Sequence, residues 1–408
     1  MSWRSARHFE LLKTLIDSEP EVVTYGALRE RVWHGKEIEP QTIIQTVKDL
    51  RGRLGTYADC IRNQPGKGYY FDRPPSGVFQ DGNLPLEVLT LLRVAADEWD
   101  RRTGESLLRA LTLYRRVVET DPACVEGLLG MAVCVTMGCH VGFAVVPRAD
   151  LHIARKAADR ALALAKNNRE RAAALCQIAQ IRMMYDWDLK EAERLFTEAR
   201  VLDDSHAPTH HFLSHVYLIT DRWDSVMDTI KAARRIAPSS PMIHSTGGLL
   251  LHFMRRYKEA IAEGEAAVAL HPEFARGYAM LGLAYEADGQ FDRAIAAFEM
   301  ALEMEEHAFA LAALGHAHAI AGNRGKARTY FARLRKFAKT QVVSPYFDAL
   351  IHAGLGAGEE AISCLEQAYD ERCDWLLHAG VEPRWDNLRG YERFRQLIKK
   401  LGLPEGRA

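Results

Sequence analysis

The sequence predicts a mostly α-helical protein, in which a small N-terminal domain is followed by a long solenoid of about eight helix pairs. Two observations carry this prediction. The first 73 residues have the pattern of three helices and a β-hairpin, and from about residue 86 the chain repeats itself every 34 positions. A hydrophobic fraction of 48% and a charged fraction of 26% exclude a disordered chain.

The charge balance restricts the kinds of partner. The chain has 53 basic and 54 acidic side chains, a formal net charge of -1, so the whole protein has no general attraction to phosphate polymers. Any nucleic acid must therefore be bound by a local basic surface.

The cysteine pattern and the N-terminus indicate the compartment. Seven scattered cysteines form no Cys-x-x-Cys pair, which argues against a disulfide framework or a structural zinc site and fits a reducing environment. The first twenty residues are not a signal peptide. An uncharged stretch, 127–147, is long enough to cross a bilayer but contains four glycines and falls within the repeats. We expect no membrane segment and a cytoplasmic protein.

The N-terminal domain is predicted element by element. A first amphipathic helix ends near Ser18, and Thr24 is suited to cap a second helix that ends at Trp33. Pro40 suits the first turn of a third helix, which Gly55 terminates. The segment 61–71 then has a hairpin pattern around Pro-Gly-Lys.

Three stretches of this domain resemble the OmpR/PhoB-type winged-helix family. They are residues 22–33 with their terminal Trp, residues 41–55 with their Leu-Arg and Leu-Gly, and the Gly-rich hairpin at 61–71. The resemblance implies that the third helix enters the DNA major groove and that the hairpin, the wing, touches the DNA backbone or minor groove. We expect residues 1–73 to form a winged-helix DNA-binding domain.

The third helix has a face that suits this role. Its apolar positions share one side, so the polar residues on the opposite side must face solvent. Residues 41–73 hold six basic and three acidic side chains, which places positive charge where DNA would dock. We expect base contacts from Gln41, Gln45 and Lys48, and phosphate contacts from Arg51, Arg53, Arg62 and Lys67.

Two features favour an alternative, in which the winged helix makes protein contacts only. Asp49 lies near the exposed face, where it would repel a phosphate. The family also usually has a small β-sheet before the first helix, whereas Met1 stands almost inside that helix here. The alternative function is a scaffold or adaptor that does not bind DNA.

The repeats follow a linker rich in proline and glycine at 74–85. Trp223, Tyr257 and Phe291 are 34 residues apart, and small residues, among them Gly248 and Gly282, recur with the same period. A 34-residue period with small residues where two helices approach closely is the tetratricopeptide (TPR) pattern. We expect a TPR superhelix over residues 86–373.

A stack of such pairs forms a concave groove that can bind a partner. The groove-lining positions of the first helix of each pair are predicted to be His211, His215, His252, Arg276, Glu286 and His316. Their histidines could bind an anionic peptide or respond to pH near 6.5. We expect the ligand to be a regulatory protein or peptide, with self-association as the alternative.

The last segment, 374–408, is predicted to cap the array. Pro383-Arg384-Trp385-Asp386 and the following Leu-Arg resemble the C-terminal segment of bacterial winged-helix/TPR regulators. With the domain at the N-terminus, this resemblance covers nearly the whole chain.

The sequence offers little for catalysis. It contains no Gly-x-Ser-x-Gly, His-Glu-x-x-His, phosphate-loop or dinucleotide pattern. His206, His210, His211 and His215 have a spacing that could hold a metal, but no third-ligand motif accompanies them. We therefore predict no enzyme, no metal and no cofactor. The sequence predicts a bacterial transcription regulator that binds double-stranded DNA and takes part in signal transduction.

Overall fold

A computed structural model describes residues 3–18, 21–54, 58, 60–71, 86–140 and 144–404. Their contacts divide the chain into two compact units. Met1–Asp100 and Arg109–Gly127 belong to the first, and Arg101–Leu108 and Leu128–Ala408 to the second. The predicted linker lies at 74–85, outside the described residues, so the domain boundaries stay a prediction.

The N-terminal part of the first unit has the predicted three helices and hairpin. Its elements are α1 (Trp3–Asp17), β1 (Val23–Thr24), α2 (Tyr25–Trp33), α3 (Pro40–Leu54), β2 (Ile61–Gln64) and β3 (Gly68–Phe71). The strands form an antiparallel sheet in the order β1-β3-β2. The two-residue strand β1, which the sequence pattern did not show, pairs Val23 with Tyr69 and Thr24 with Gly68.

Local sequence explains these boundaries. The side chain of Thr24 accepts a hydrogen bond from the backbone N–H of Ala27 at 3.2 Å, which caps α2 as predicted. His34 ends α2 in the left-handed conformation, with φ of 53°. Trp33 and Phe71 are 1% exposed and belong to the core that α1, α2 and α3 share with the sheet.

The other helices follow in chain order, and those between residues 168 and 370 pack as consecutive pairs. They are α4 (Leu86–Asp100), α5 (Gly104–Thr120), α6 (Val125–Gly138), α7 (Leu151–Leu164), α8 (Asn168–Ile181), α9 (Leu189–Leu202), α10 (Ala207–Ile219), α11 (Trp223–Ile236), α12 (Pro241–Phe253), α13 (Tyr257–Leu270), α14 (Ala275–Ala287), α15 (Phe291–Met304), α16 (Ala308–Ile320), α17 (Arg324–Phe337), α18 (Pro345–Gly354), α19 (Gly358–Asp370) and α20 (Glu392–Lys400). The α-solenoid prediction is confirmed.

The repeat period has a direct structural cause. Trp223, Tyr257 and Phe291 each begin the second helix of a pair. At Gly282 in α14 a Cβ atom would come within 2.5 Å of the Phe298 ring in α15. The recurring small residue therefore lets the two helices of a pair approach closely.

The segment after α19 does more than cap the array. Helix α20 packs against α19 through Arg393, which pairs with Glu359 and Glu366. Residues 374–388 instead form two short 3₁₀ helices whose side chains contact helices of earlier repeats. We call these residues, 374–388, the tail segment. Among the described residues, no helix is both long and apolar enough to cross a membrane.

Candidate functional site

Helix α3 presents one polar face to solvent. Its apolar side is anchored by Ile43, Val47 and Leu50, which are 3% exposed or less. On the opposite side Gln41, Gln45 and Lys48 are exposed, together with Ile44 and Gly52. The side chains expected to contact bases are therefore accessible on a helix whose other face is fixed by the core.

One acidic side chain lies within this face. Gln45 Nε2 donates a 2.7 Å hydrogen bond to Oδ1 of Asp49, one turn further along α3. The bond orients the Gln45 amide and places a carboxylate beside it. Asp49 therefore adds a negative charge to a surface expected to approach phosphates.

The predicted phosphate contacts differ in their environment. Arg62 and Lys67 are exposed on the hairpin, as a phosphate contact requires. Arg51 instead donates from Nε to the backbone oxygen of Ile61 at 3.0 Å, and its guanidinium lies 5.9 Å from the centre of the Tyr69 ring. Arg51 therefore connects α3 to the sheet. The side chain of Arg53 lies outside those that the structure describes.

The wing turn is tied to the start of α2. Lys67 N–H donates to Gln64 O at 3.0 Å, and Gly66, with φ of 75°, occupies the position of the turn that favours glycine. Lys67 O accepts a 3.1 Å hydrogen bond from Tyr25 N–H. A Cβ atom at Gly68 would overlap the carbonyl oxygen of Val23. Only glycine therefore fits where β3 passes close to β1.

The predicted groove is covered by the chain's own tail segment. His215 Nδ1 lies 3.2 Å from Nε2 of His378, and His252 Nε2 lies 3.6 Å from a carboxylate oxygen of Glu382. His252 is 1% exposed. Of the other predicted groove residues, Glu286 and His316 are buried and lie 3.0 Å apart, and Arg276 is half-buried.

Aromatic rings fix the tail segment in place. Trp375 packs on Phe309 of α16 with ring centres 5.0 Å apart, and Trp385 meets Tyr346 of α18 edge to face at 5.4 Å. Trp385 is fully buried. These contacts are those of a core, and they join the tail segment to the last two helix pairs, α16–α17 and α18–α19.

Polar contacts add to this packing. Glu382 and Arg384 form a buried ion pair at 2.7 Å, in which the paired charge holds the pKa of Glu382 well below its usual value. At the edge of the groove, Arg255 binds Asp386 through two 2.7 Å hydrogen bonds. Sequence reasoning missed this arrangement, and the two tryptophans were its available signal.

Burial disfavours the charged form of His211, His215 and His378. Burial, with the positive charges of Arg102 and Arg276, lowers the pKa of His211 to about 3. Burial also lowers the pKa of His378 to about 4, although the Glu382 carboxylate opposes this shift. Burial also lowers the pKa of His215 well below 6.5. A response near pH 6.5 is therefore not expected from His211 or His215. Among the described residues, no three side chains form a metal-binding group.

Comparisons with known proteins agree with the two-part architecture. The family model "Transcriptional regulatory protein, C terminal" matches residues 3–71, from α1 through β3. The model "Tetratricopeptide repeat" matches residues 275–307, which contain α14 and α15. The chain joins an OmpR/PhoB-type winged helix to a TPR array.

Individual known proteins are similar to parts of this chain. The Hsp70-Hsp90 organizing protein of Triticum aestivum is 31% identical over 84 residues, which are 21% of this chain and 14% of that protein. The winged-helix/TPR chain thus covers a small part of that relative. In the Cut9-Hcn1 structure a chain superposes with a TM-score of 0.54 at 14% identity, covering 76% of this chain and 55% of that one. MamA from Desulfovibrio magneticus RS-1 gives a TM-score of 0.35 at 22% identity, over 42% of this chain and 97% of that one.

Proposed function

We propose that this protein is a bacterial, cytoplasmic transcription regulator whose helix α3 reads double-stranded DNA. The observation that carries the proposal is the exposed polar face of α3 in a domain that matches a transcription-regulator family. Gln41, Gln45 and Lys48 supply donors and acceptors that suit base edges in the major groove. Arg62 and Lys67 on the wing, with Arg53, supply phosphate contacts. Arg51 supports α3 from within.

The proposal gives the TPR array the regulatory role. Its ligand is a protein or peptide, or a second copy of this chain. The residues expected to bind it are the predicted groove residues His211, His215, His252, Arg276, Glu286 and His316. A peptide ligand would have to replace the tail segment, which contacts His215 and His252 in the free chain. A partner bound elsewhere on the array would leave it in place.

Sequencing of genomic DNA captured by the purified full-length protein tests the DNA-binding role. Fluorescence anisotropy on the enriched sites would then measure affinity across salt concentrations. A specific regulator enriches a defined sequence and shows a log-log salt slope set by the number of phosphates it neutralises. Capture of no sequence, or of all sequences alike, would contradict the proposal.

Two variants test the roles within the domain. Lys67→Ala should weaken binding to all sequences and reduce the salt slope by about 1. Gln45→Ala should keep the slope and cost about 1–3 kcal/mol of discrimination at one base position. Lys339→Ala, at an exposed position after α17, is the matched control and should change neither. The reverse pattern would exchange the proposed roles of α3 and the wing.

One observation favours the second candidate, a scaffold that does not bind DNA. The Asp49 carboxylate occupies the outer face of α3 and engages Gln45 there. In a scaffold, substitutions on this face would change a protein interaction and leave DNA unaffected. We propose no catalytic function, and both matched families are of non-enzymatic kinds.

A further inference from the structure

A cavity lies within the first unit, between three of its helices. Its lining comes from α1 between Leu12 and Ile16, from Leu91 of α4 and from α5 between Thr112 and Glu119, and we call it the α1–α5 cavity. Its volume is about 260 Å³, which is the share of roughly nine water molecules. Folded proteins leave few spaces this large between packed helices, so the cavity has room for a small organic molecule.

Part of the lining is apolar. Its side chains come from all three helices, and each is 6% exposed or less: Leu12, Ile16, Leu91 and Leu113. Leu12 and Ile16 stand four residues apart, so they lie next to each other on one side of α1. An alkyl chain placed against these side chains leaves water, and each CH₂ group buried in this way strengthens binding about fourfold.

The rest of the lining is polar and mostly basic. Thr112, Arg115, Arg116 and Glu119 have the spacing i, i+3, i+4 and i+7, so they share one face of α5. Lys13 of α1 joins them, and all five side chains are exposed. Three basic side chains against one acidic side chain give this part of the lining a net charge of +2. The cavity therefore favours an anion over a neutral molecule or a cation.

Lys13 and Arg115 are available to such an anion. Within the described part of the chain neither takes part in an ion pair, and Glu119 stands one turn beyond Arg115 without pairing with it. The Arg115 guanidinium can donate two parallel hydrogen bonds to a carboxylate, and the Lys13 ammonium can add a third. Both line the same cavity as the apolar side chains, so they can hold the polar end of a molecule whose other end is apolar.

The size of the cavity and its two kinds of lining decide the class of ligand. A folded partner or a nucleic acid is too large for this volume. Inorganic phosphate would meet the basic side chains but leave the apolar ones uncovered, and a neutral hydrocarbon would do the reverse. The chemistry that uses both parts is an alkyl chain of moderate length that ends in a carboxylate.

We propose that the α1–α5 cavity binds a medium-chain carboxylate. Its alkyl chain lies against Leu12, Ile16 and Leu113, and its carboxylate pairs with Lys13 and Arg115. Octanoate, with about ten non-hydrogen atoms, suits the volume of the cavity. Because the ligand contacts three helices at once, it stabilises their packing against each other. The proposal does not depend on the DNA-binding role of α3.

Isothermal titration calorimetry on the full-length protein tests the class of ligand. Octanoate, hexanoate and octan-1-ol are titrated separately at pH 7.5, at low and constant ionic strength and below the concentration at which octanoate forms micelles. We expect saturable binding of octanoate to one site. Hexanoate, which lacks two CH₂ groups, should bind about fifteenfold more weakly. Octan-1-ol, which lacks the charge, should bind at least about threefold more weakly than octanoate.

A double variant tests the site itself. Lys13→Gln with Arg115→Gln removes both proposed partners of the carboxylate and should weaken octanoate binding about tenfold, since each exposed pair is worth about threefold. Octan-1-ol should bind this variant and the wild type alike. Lys326→Gln with Arg328→Gln makes the same change of charge on exposed side chains of α17 and should leave octanoate binding unchanged. Melting temperatures without ligand show whether both variants are folded.

Three results would overturn the proposal. The first is the absence of saturable octanoate binding. The second is an affinity for octan-1-ol equal to that for octanoate in the wild type, a comparison that holds even where a variant is unstable. The third is equal octanoate affinity of the wild type and the folded double variant at Lys13 and Arg115, because the carboxylate would then not pair with these side chains.

Discussion

The outer face of α3 and the inner face of the repeats were both predicted from helical periodicity, and they differ in what covers them. On α3 the side chains that point away from the core, Gln41, Gln45 and Lys48, are exposed. On the repeats the corresponding positions, such as His252 and His316, are buried. Helical periodicity shows which side of a helix points away from the local core. Whether solvent reaches that side depends on whether a segment distant in sequence packs over it.

The largest expected effect tests whether the tail segment belongs to the core. Glu382→Ala leaves Arg384 buried without its partner, and we expect the free energy of unfolding to fall by about 3–5 kcal/mol. Glu366→Ala, which breaks an exposed pair with Arg393, should cost less than about 1 kcal/mol. Denaturant titration measures both. Equal, small losses would mean that the tail segment is only loosely held.

A fall in pH should destabilise the repeats more than the domain that contains α3. His378 has a pKa of about 4 when folded, against about 6.5 when unfolded, so the unfolded chain binds more protons between these values. Stability is complete above pH 6.5 and falls as the pH drops towards 4, by up to about 1.4 kcal/mol per pH unit for each such histidine. His378→Gln should flatten the dependence of unfolding free energy on pH. His152→Gln, at an exposed site, should leave it unchanged.

A smaller effect compares two glycines of the winged helix. Gly68→Ala should destabilise the protein by about 1–3 kcal/mol, because the new Cβ overlaps the Val23 carbonyl. Gly52→Ala on the outer face of α3 meets no atom within 4 Å and should stabilise it by about 0.5–1 kcal/mol. Thermal unfolding distinguishes them. Loss of stability in Gly52→Ala would show that this face is covered after all.

The smallest effect concerns the carboxylate on the α3 face. Asp49→Asn keeps an acceptor for Gln45 and removes the charge, so DNA affinity should rise about two- to fivefold at low salt. The gain should shrink as salt screens the interaction. An unchanged affinity at all salt concentrations would indicate that Asp49 does not face the DNA.

Local signals were sufficient for most of the fold. Thr24 and Pro40 marked the starts of α2 and α3, and the 34-residue period placed the starts of α11, α13 and α15. The helix starts depend on neighbouring residues, and the period repeats one local pattern along the chain. Strand β1 was missed because two residues carry no alternation pattern and pair with a strand more than 40 positions away.

The sequence predicted only the part of the site that depends on residues close together in the chain. The outer face of α3 followed from its own periodicity, whereas the inward turn of Arg51 depends on the carbonyl of Ile61 across the fold. The tail segment has no helical period, and its position depends on Trp375 and Trp385 meeting rings of α16 and α18. Such contacts between distant segments leave no spacing in the sequence.

The course of the tail segment has a consequence for how this array can evolve. Asp374 reaches His140 after α6, His378 reaches α10, and Asn387 reaches the backbone of Ala353 in α18. A solenoid whose repeats contact only their neighbours can gain or lose a unit by duplication or deletion. Here an added or deleted repeat would move these partners out of reach of each other. The contacts of the tail segment therefore restrict the number of repeats that the array can contain.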